Sequence, residues 1–190
     1  ALPSGDWHPL FIRRGRSLKV IANDAALKDV VKEEEEVLCL RRRKGFLLRA
    51  LQSGEFATLH TNSIPDLYAQ LTDLAGQKID NISKDNILNS LNAQQKVFPA
   101  FMGHGIAIPH AHCDGLETRV CFVAKLNLGL QVQGQEDDID FIFFLLSPLG
   151  DDEGHLATLA DIARNCRSER TRDQIKRAQS MDGIIAAITT

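Results

Sequence analysis

Among six histidines, two stand in contexts that suit an imidazole for covalent or hydrogen-bonding chemistry. His110 closes the octapeptide Gly103-His104-Gly105-Ile106-Ala107-Ile108-Pro109-His110. The two glycines allow dihedrals closed to other residues and let another chain approach closely. Ile106-Ala107-Ile108 is a short buried-strand signal, and Pro109 is expected to stop pairing and fix φ, so that the next side chain leaves the sheet in a defined direction. A neutral imidazole nitrogen is a competent nucleophile near neutral pH. Taken alone, the same residue also fits a strand cap bonded to a neighbouring carbonyl. His155, in Gly154-His155-Leu156-Ala157-Thr158-Leu159-Ala160, stands near a helix start and by itself reads as an ordinary surface or capping residue.

Other chemistries fit the residues less well. His104, His110, His112 and Cys113 carry zinc-type donors, but alternation along an extended segment turns neighbouring side chains to opposite faces, and no CxxC completes a tetrahedral set. No metal is therefore expected. The Gly-His-Gly turn lacks both a GxGxxG fingerprint and a Walker lysine, and no Ser–His–Asp order favours a hydrolase. Nothing calls for a cofactor. Cys39, Cys113, Cys121 and Cys166 are scattered, and the pattern fits reduced thiols in a cytoplasmic protein, with Cys121 and Cys166 as small core residues.

The elements that must position these histidines follow from periodicity. Leu67, Leu71 and Leu74 recur at helical spacing behind Ser63-Ile64-Pro65-Asp66, a start signal with Ser63 as N-cap, and Gly76 is expected to end the run. Ser83 starts a second helix with Ile87, Leu88 and Leu91 on one face. Residues 120–124 and 139–146 are continuous apolar runs that read as strands buried on both faces. A helix over 152–166 carries acidic residues in its first turn, and shorter helices follow at 171–178 and 180–188. Strands interleaved with helices imply an α/β fold, a mixed sheet sandwiched by helices.

Residues 1–51 read as a separate α+β appendage: a strand at 18–22, a short helix from Asn23 or Asp24 through Lys32, and a β-hairpin formed by 37–40 and 46–48 around Gly45. The glutamates at 33–36 offset the cations at 41–44, which leaves no basic face for nucleic acid. With 44% hydrophobic residues and a net charge of −3, the chain can bury a sizeable core and has no global basic field. No apolar run is long enough to insert in a membrane.

From Ser53 to Thr190 the chain resembles the enzyme IIA domains of the fructose, mannitol and nitrogen-regulatory branches of the bacterial phosphotransferase system. Gly-His-Gly-Ile-Ala-Ile-Pro-His at 103–110 is similar to that family's phosphoacceptor signature, and Gly154-His155-Leu156-Ala157-Thr158-Leu159-Ala160 to the segment whose histidine sits beside the acceptor. Ile139-Asp140-Phe141-Ile142-Phe143-Phe144-Leu145-Leu146-Ser147-Pro148, with Ile175-Lys176-Arg177-Ala178-Gln179-Ser180, looks more like the nitrogen-regulatory branch. The resemblance implies a fructose/mannitol-like IIA sandwich over 52–190, with His110 as nucleophile and phosphoacceptor and His155 donating to the phosphoryl oxygens. It also implies an HPr-like phosphocarrier as donor and a IIB domain or a regulated protein as further partner. One position departs: Gln94 stands some sixteen residues before His110, where the family usually has arginine, and Phe98-Pro99-Ala100-Phe101 replaces a Gly-Ser-Thr-type loop. An amide cannot supply arginine's permanent charge and fork. The expected function is a phosphohistidine carrier of the nitrogen-regulatory type. The alternatives are a sugar-branch IIA that feeds a IIB domain and a IIA-like binding module that is not phosphorylated.

Overall fold

The computed structural model describes residues 45–80, 82–95 and 100–189 together with strand segments at 7–14, 17–20 and 36–41. The chain forms two compact units, Ala1–Gly45 and Phe46–Thr190. In the first, β1 (Trp7–Arg14), β2 (Ser17–Val20) and β3 (Glu36–Arg41) make an antiparallel sheet in the order β2-β1-β3. The expected helix over 23–32 lies outside the described residues. The expected hairpin is corrected. β3 pairs with β1, and Phe46–Ser53 is a helix, α1. Its buried Leu47, Ala50 and Leu51 have i, i+3, i+4 spacing, so helical periodicity outweighs the strand-like opening Phe46-Leu47-Leu48.

The second unit is built on a mixed six-stranded sheet. It comprises β4 (Phe56–Leu59), β5 (Phe101–Gly103), β6 (Ile106–Ala107), β7 (His110–Cys113), β8 (Val120–Leu130) and β9 (Ile139–Pro148). The order is β4-β8-β9-β6-β5, with β7 also on β9. Strands β8 and β9 pair antiparallel at the centre, while β4 runs parallel to β8, and β6 and β7 parallel to β9. Both central strands are buried on both faces, as their unbroken apolar runs require. Phe122, Ala124, Ile142, Phe144 and Leu146 enter one core with α2 (Ile64–Lys78) and α3 (Lys84–Gln95). Cys121, Val123, Phe141, Phe143 and Leu145 enter the other. That second core is closed by α1, α4 (Asp152–Arg167), α5 (Glu169–Arg177) and α6 (Met181–Thr189). Ser63 caps α2 by accepting from the Asp66 amide. Gly76 does not end that helix, which runs on to Lys78. The bare glycine instead lies beneath the Lys84 side chain, whose Nζ bonds Asp73 at 2.7 Å. Among the described residues no helix is long and apolar enough to cross a membrane.

Candidate functional site

Pro109 interrupts the edge of the sheet without ending it. Pairing with β9 resumes at once, His110 opposite Leu145 and His112 opposite Ser147, which corrects the expectation that the proline ejects the next side chain. Proline lacks only the N–H. Its carbonyl still accepts from the Leu145 amide at 3.0 Å, so one lost donor is all the ladder forfeits. Upstream, Gly103, His104 and Gly105 all have positive φ, the left-handed turn that joins β5 to β6. Gly105 is needed twice over, since a Cβ there would also fall 2.6 Å from Asp140 Oδ1 and 3.0 Å from Lys176 Nζ.

Two-residue alternation along β7 separates the four donors near the motif. Ala111 and Cys113 enter the α2–α3 core, and His104 is exposed in the turn. His110 and His112 share the opposite face, where α4 brings the third ring. His155 lies with its centroid 5.2 Å from His110 and 4.2 Å from His112. The two sequence-singled histidines are thus brought together, and His112 joins them. Among the described residues no group of His, Cys, Asp or Glu is arranged to hold a metal ion. Gln94 lies in the last turn of α3, but its side chain and Phe98 are outside the described residues.

Two of the three rings are held by a defined hydrogen-bond partner. His110 Nδ1 is 2.8 Å from the Ile108 carbonyl oxygen. A carbonyl can only accept, so Nδ1 carries the proton and Nε2 keeps its lone pair. Burial lowers the pKa of His110, opposed by the Ile108 bond and reinforced by His112. His155 Nδ1 is 2.8 Å from Ser147 Oγ in a buried contact. Burial first, then His110, His112 and Arg119, push the His155 pKa down to about 3, so this ring is neutral at ordinary pH. His112 Nε2 lies 3.5 Å from Asp152 Oδ1 and makes no hydrogen bond.

The start of α4 is organised by a charge. Asp151 caps the helix, accepting from the Gly154 amide at 3.2 Å, and pairs with Arg119. The guanidinium also lies 4.8 Å over the Phe46 ring, within reach of a cation–π contact. It presses so closely on Gly154 that a Cβ there would collide with it, which explains a glycine in the first turn of a helix. Arg119 and Ser147 carry no local sequence signal, and Asp151 signals only a helix cap. Ser147 is embedded in an apolar run, and Arg119 meets Asp151 across 32 residues. His112 falls on the His110 face only once 110–113 is a strand, since two-residue spacing then puts both on one side.

The arrangement can offer an unprotonated nitrogen to an electrophile beside a neutral second imidazole, with the Arg119 guanidinium packed on Gly154, the residue before that second ring. Residues 55–190 match the family described as phosphoenolpyruvate-dependent sugar phosphotransferase system, EIIA 2. A nitrogen regulatory protein of Pseudomonas aeruginosa is 26% identical over 116 residues, 60% of this chain and 75% of that one. The fructose-specific EIIA component of Haloferax volcanii is 27% identical over 113 residues, 58% of this chain and 72% of that one. In fold, the chain is similar to the nitrogen regulatory protein IIA-Ntr from Neisseria meningitidis, with a TM-score of 0.62 at 20% identity, covering 73% of this chain and 94% of that one.

Proposed function

The chain belongs to the EIIA 2 family of the phosphoenolpyruvate-dependent sugar phosphotransferase system, and on that footing we propose that it is a phosphohistidine carrier of the nitrogen-regulatory type, charged on His110 by an HPr-like donor in the cytoplasm. The observation that carries this reading is the pairing of His110, whose Nδ1 is held 2.8 Å from the Ile108 carbonyl, with the His155 ring 5.2 Å away. The bond to the carbonyl leaves Nε2 as the nucleophile. The Nε2 lone pair forms the new N–P bond as the donor's N–P bond breaks, and that bond's electrons return to the donor nitrogen. The proton stays on Nδ1, where the carbonyl stabilises the positive charge the ring acquires. His155, 5.2 Å away, donates to the phosphoryl oxygens. The phosphoryl group adds about 1.5 to 2 negative charges, enough to change the affinity of this face for a regulated partner.

The nitrogen-regulatory assignment is supported by the Pseudomonas aeruginosa relative and by the segments at 139–148 and 175–180. The Haloferax volcanii relative favours a second reading, in which the group passes to a IIB domain and then to a sugar. Incubation with phosphoenolpyruvate, enzyme I and HPr should add one acid-labile phosphoryl group by intact mass, and His110→Ala should abolish it. No added mass in the wild type, or unchanged labelling of the variant, would sink the carrier reading.

A further inference from the structure

The buried contact between Ser147 and His155 bears on which nitrogen of His155 is free to donate. A neutral imidazole has one N–H, so its partner at one nitrogen decides the character of the other. Ser147 is fully buried, and the described hydrogen bond of its hydroxyl is the one to His155 Nδ1. Were Nδ1–H the donor, the Ser147 O–H would point into a buried setting with no hydrogen-bond acceptor described for it, and a buried donor left unpaired is unfavourable. Were Ser147 the donor, both groups are satisfied and Nε2 must carry the proton.

We infer that Ser147 is a positioning residue which donates to His155 Nδ1 and thereby makes Nε2–H of His155 the hydrogen-bond donor of the site. The functional half of this inference rests on the phosphocarrier reading; the tautomer itself does not. The two rings then carry opposite tautomers. The carbonyl of Ile108 bares Nε2 of His110 to attack, and the hydroxyl of Ser147 protonates Nε2 of His155 to receive anionic oxygens. A lone pair at His155 Nε2 would instead repel those oxygens. His110 and His112 on β7 and Arg119 beside β8 favour a neutral His155 ring, while the carboxylates on its own helix are turned to other groups, Asp151 to Arg119 and Asp152 to His112. Val120 pairs with Leu146 and His112 with Ser147, so Arg119 and His112 come level with Ser147 on either side of it.

The test uses the full chain labelled with 15N, because long-range 1H–15N correlations of imidazoles report the tautomer directly. At pH 7 the wild type should show His155 with bare Nδ1 and protonated Nε2, and His110 with the reverse. Ser147→Ala deletes one oxygen and should shift His155 toward a mixture of tautomers while leaving His110 unchanged. Phosphoryl transfer to His110 should slow by about 10–100-fold, the usual loss when a group that orients a functional histidine is removed. Ser147→Thr should restore both the tautomer and the rate. A wild-type His155 protonated on Nδ1 would overturn the inference, as would a Ser147→Ala protein with unchanged tautomer, whatever its rate. If the wild type accepts no phosphoryl group, the carrier reading fails, and the spectra still decide the tautomer.

Discussion

An imidazole attacks only through the nitrogen its hydrogen bonds leave bare, and at His110 that nitrogen is Nε2 because Ile108 holds Nδ1. Among the described residues, the charge effect at His110 comes from His112 and not from a permanent cation. Arg119 is the guanidinium of the cluster, but it is engaged by Asp151 and Phe46, and its field is felt at His155. Gln94 occupies the position where the sequence resemblance implies arginine. A charged donor exceeds a neutral one by about 1–1.5 kcal/mol, so Gln94→Arg should speed phosphorylation of His110 about tenfold in single-turnover labelling. A folded Gln94→Arg protein no faster than the wild type would show that the site compensates for the amide by other means. His155→Ala should slow the same reaction on the order of 10²–10³-fold, the loss for a single transition-state donor. Label should stay on His110; label on another residue, or an undiminished rate, would remove His155 from the mechanism.

At the scale of elements, β7 and the first turn of α4 are what converge on the site. The sequence made α4 plain, since Asp152 and Glu153 sit in its first turn and Arg164 and Arg167 in its last, in keeping with the helix dipole. It misrepresented β7, because a histidine-rich tetrapeptide after a proline carries no strand signal; its pairing comes from the exposed edge of β9. It likewise hid α1, whose opening apolar triplet fits either period. The helical reading has a mutational signature. Leu47→Ala and Leu51→Ala, at 3% and 0% exposure, should each cost about 2–5 kcal/mol in denaturant unfolding. Arg49→Ala, exposed on the opposite face, should stay within about 0.5 kcal/mol. Equal losses at positions 47 and 49 would contradict the helix.

For the molecule as a whole, the buried neutral imidazole couples folding to pH. Unfolded His155 titrates near 6.5 and the folded ring near about 3, so between those values the unfolded chain binds more protons. Stability is therefore complete above pH 6.5 and falls as the solution is acidified, with a slope approaching about 1.4 kcal/mol per pH unit from this ring. The lowered pKa of His110 adds to the loss with the same sign. Denaturant titrations between pH 6.5 and 5, above most carboxylate transitions, should show the decline, and His155→Asn should remove about one proton from it. An unchanged slope in that variant would mean that His155 is not held neutral by the fold.

The layers and the two histidines were legible along the chain. Unbroken apolar runs at 120–124 and 139–146 demand burial on both faces, helical periodicity places the flanking elements, and short-range signals mark helix starts. All of these act within a few residues of chain. Tertiary structure decided what those signals cannot reach. The return of β7 to the sheet beyond Pro109 depends on the free edge of β9, and the placement of Arg119 depends on Asp151, 32 residues away. The proton on His110 follows from a carbonyl only two residues back, but the proton on His155 is decided by a hydroxyl on β9 that the assembled fold sets 2.8 Å away, because a tautomer belongs to a ring's surroundings rather than to its residue type.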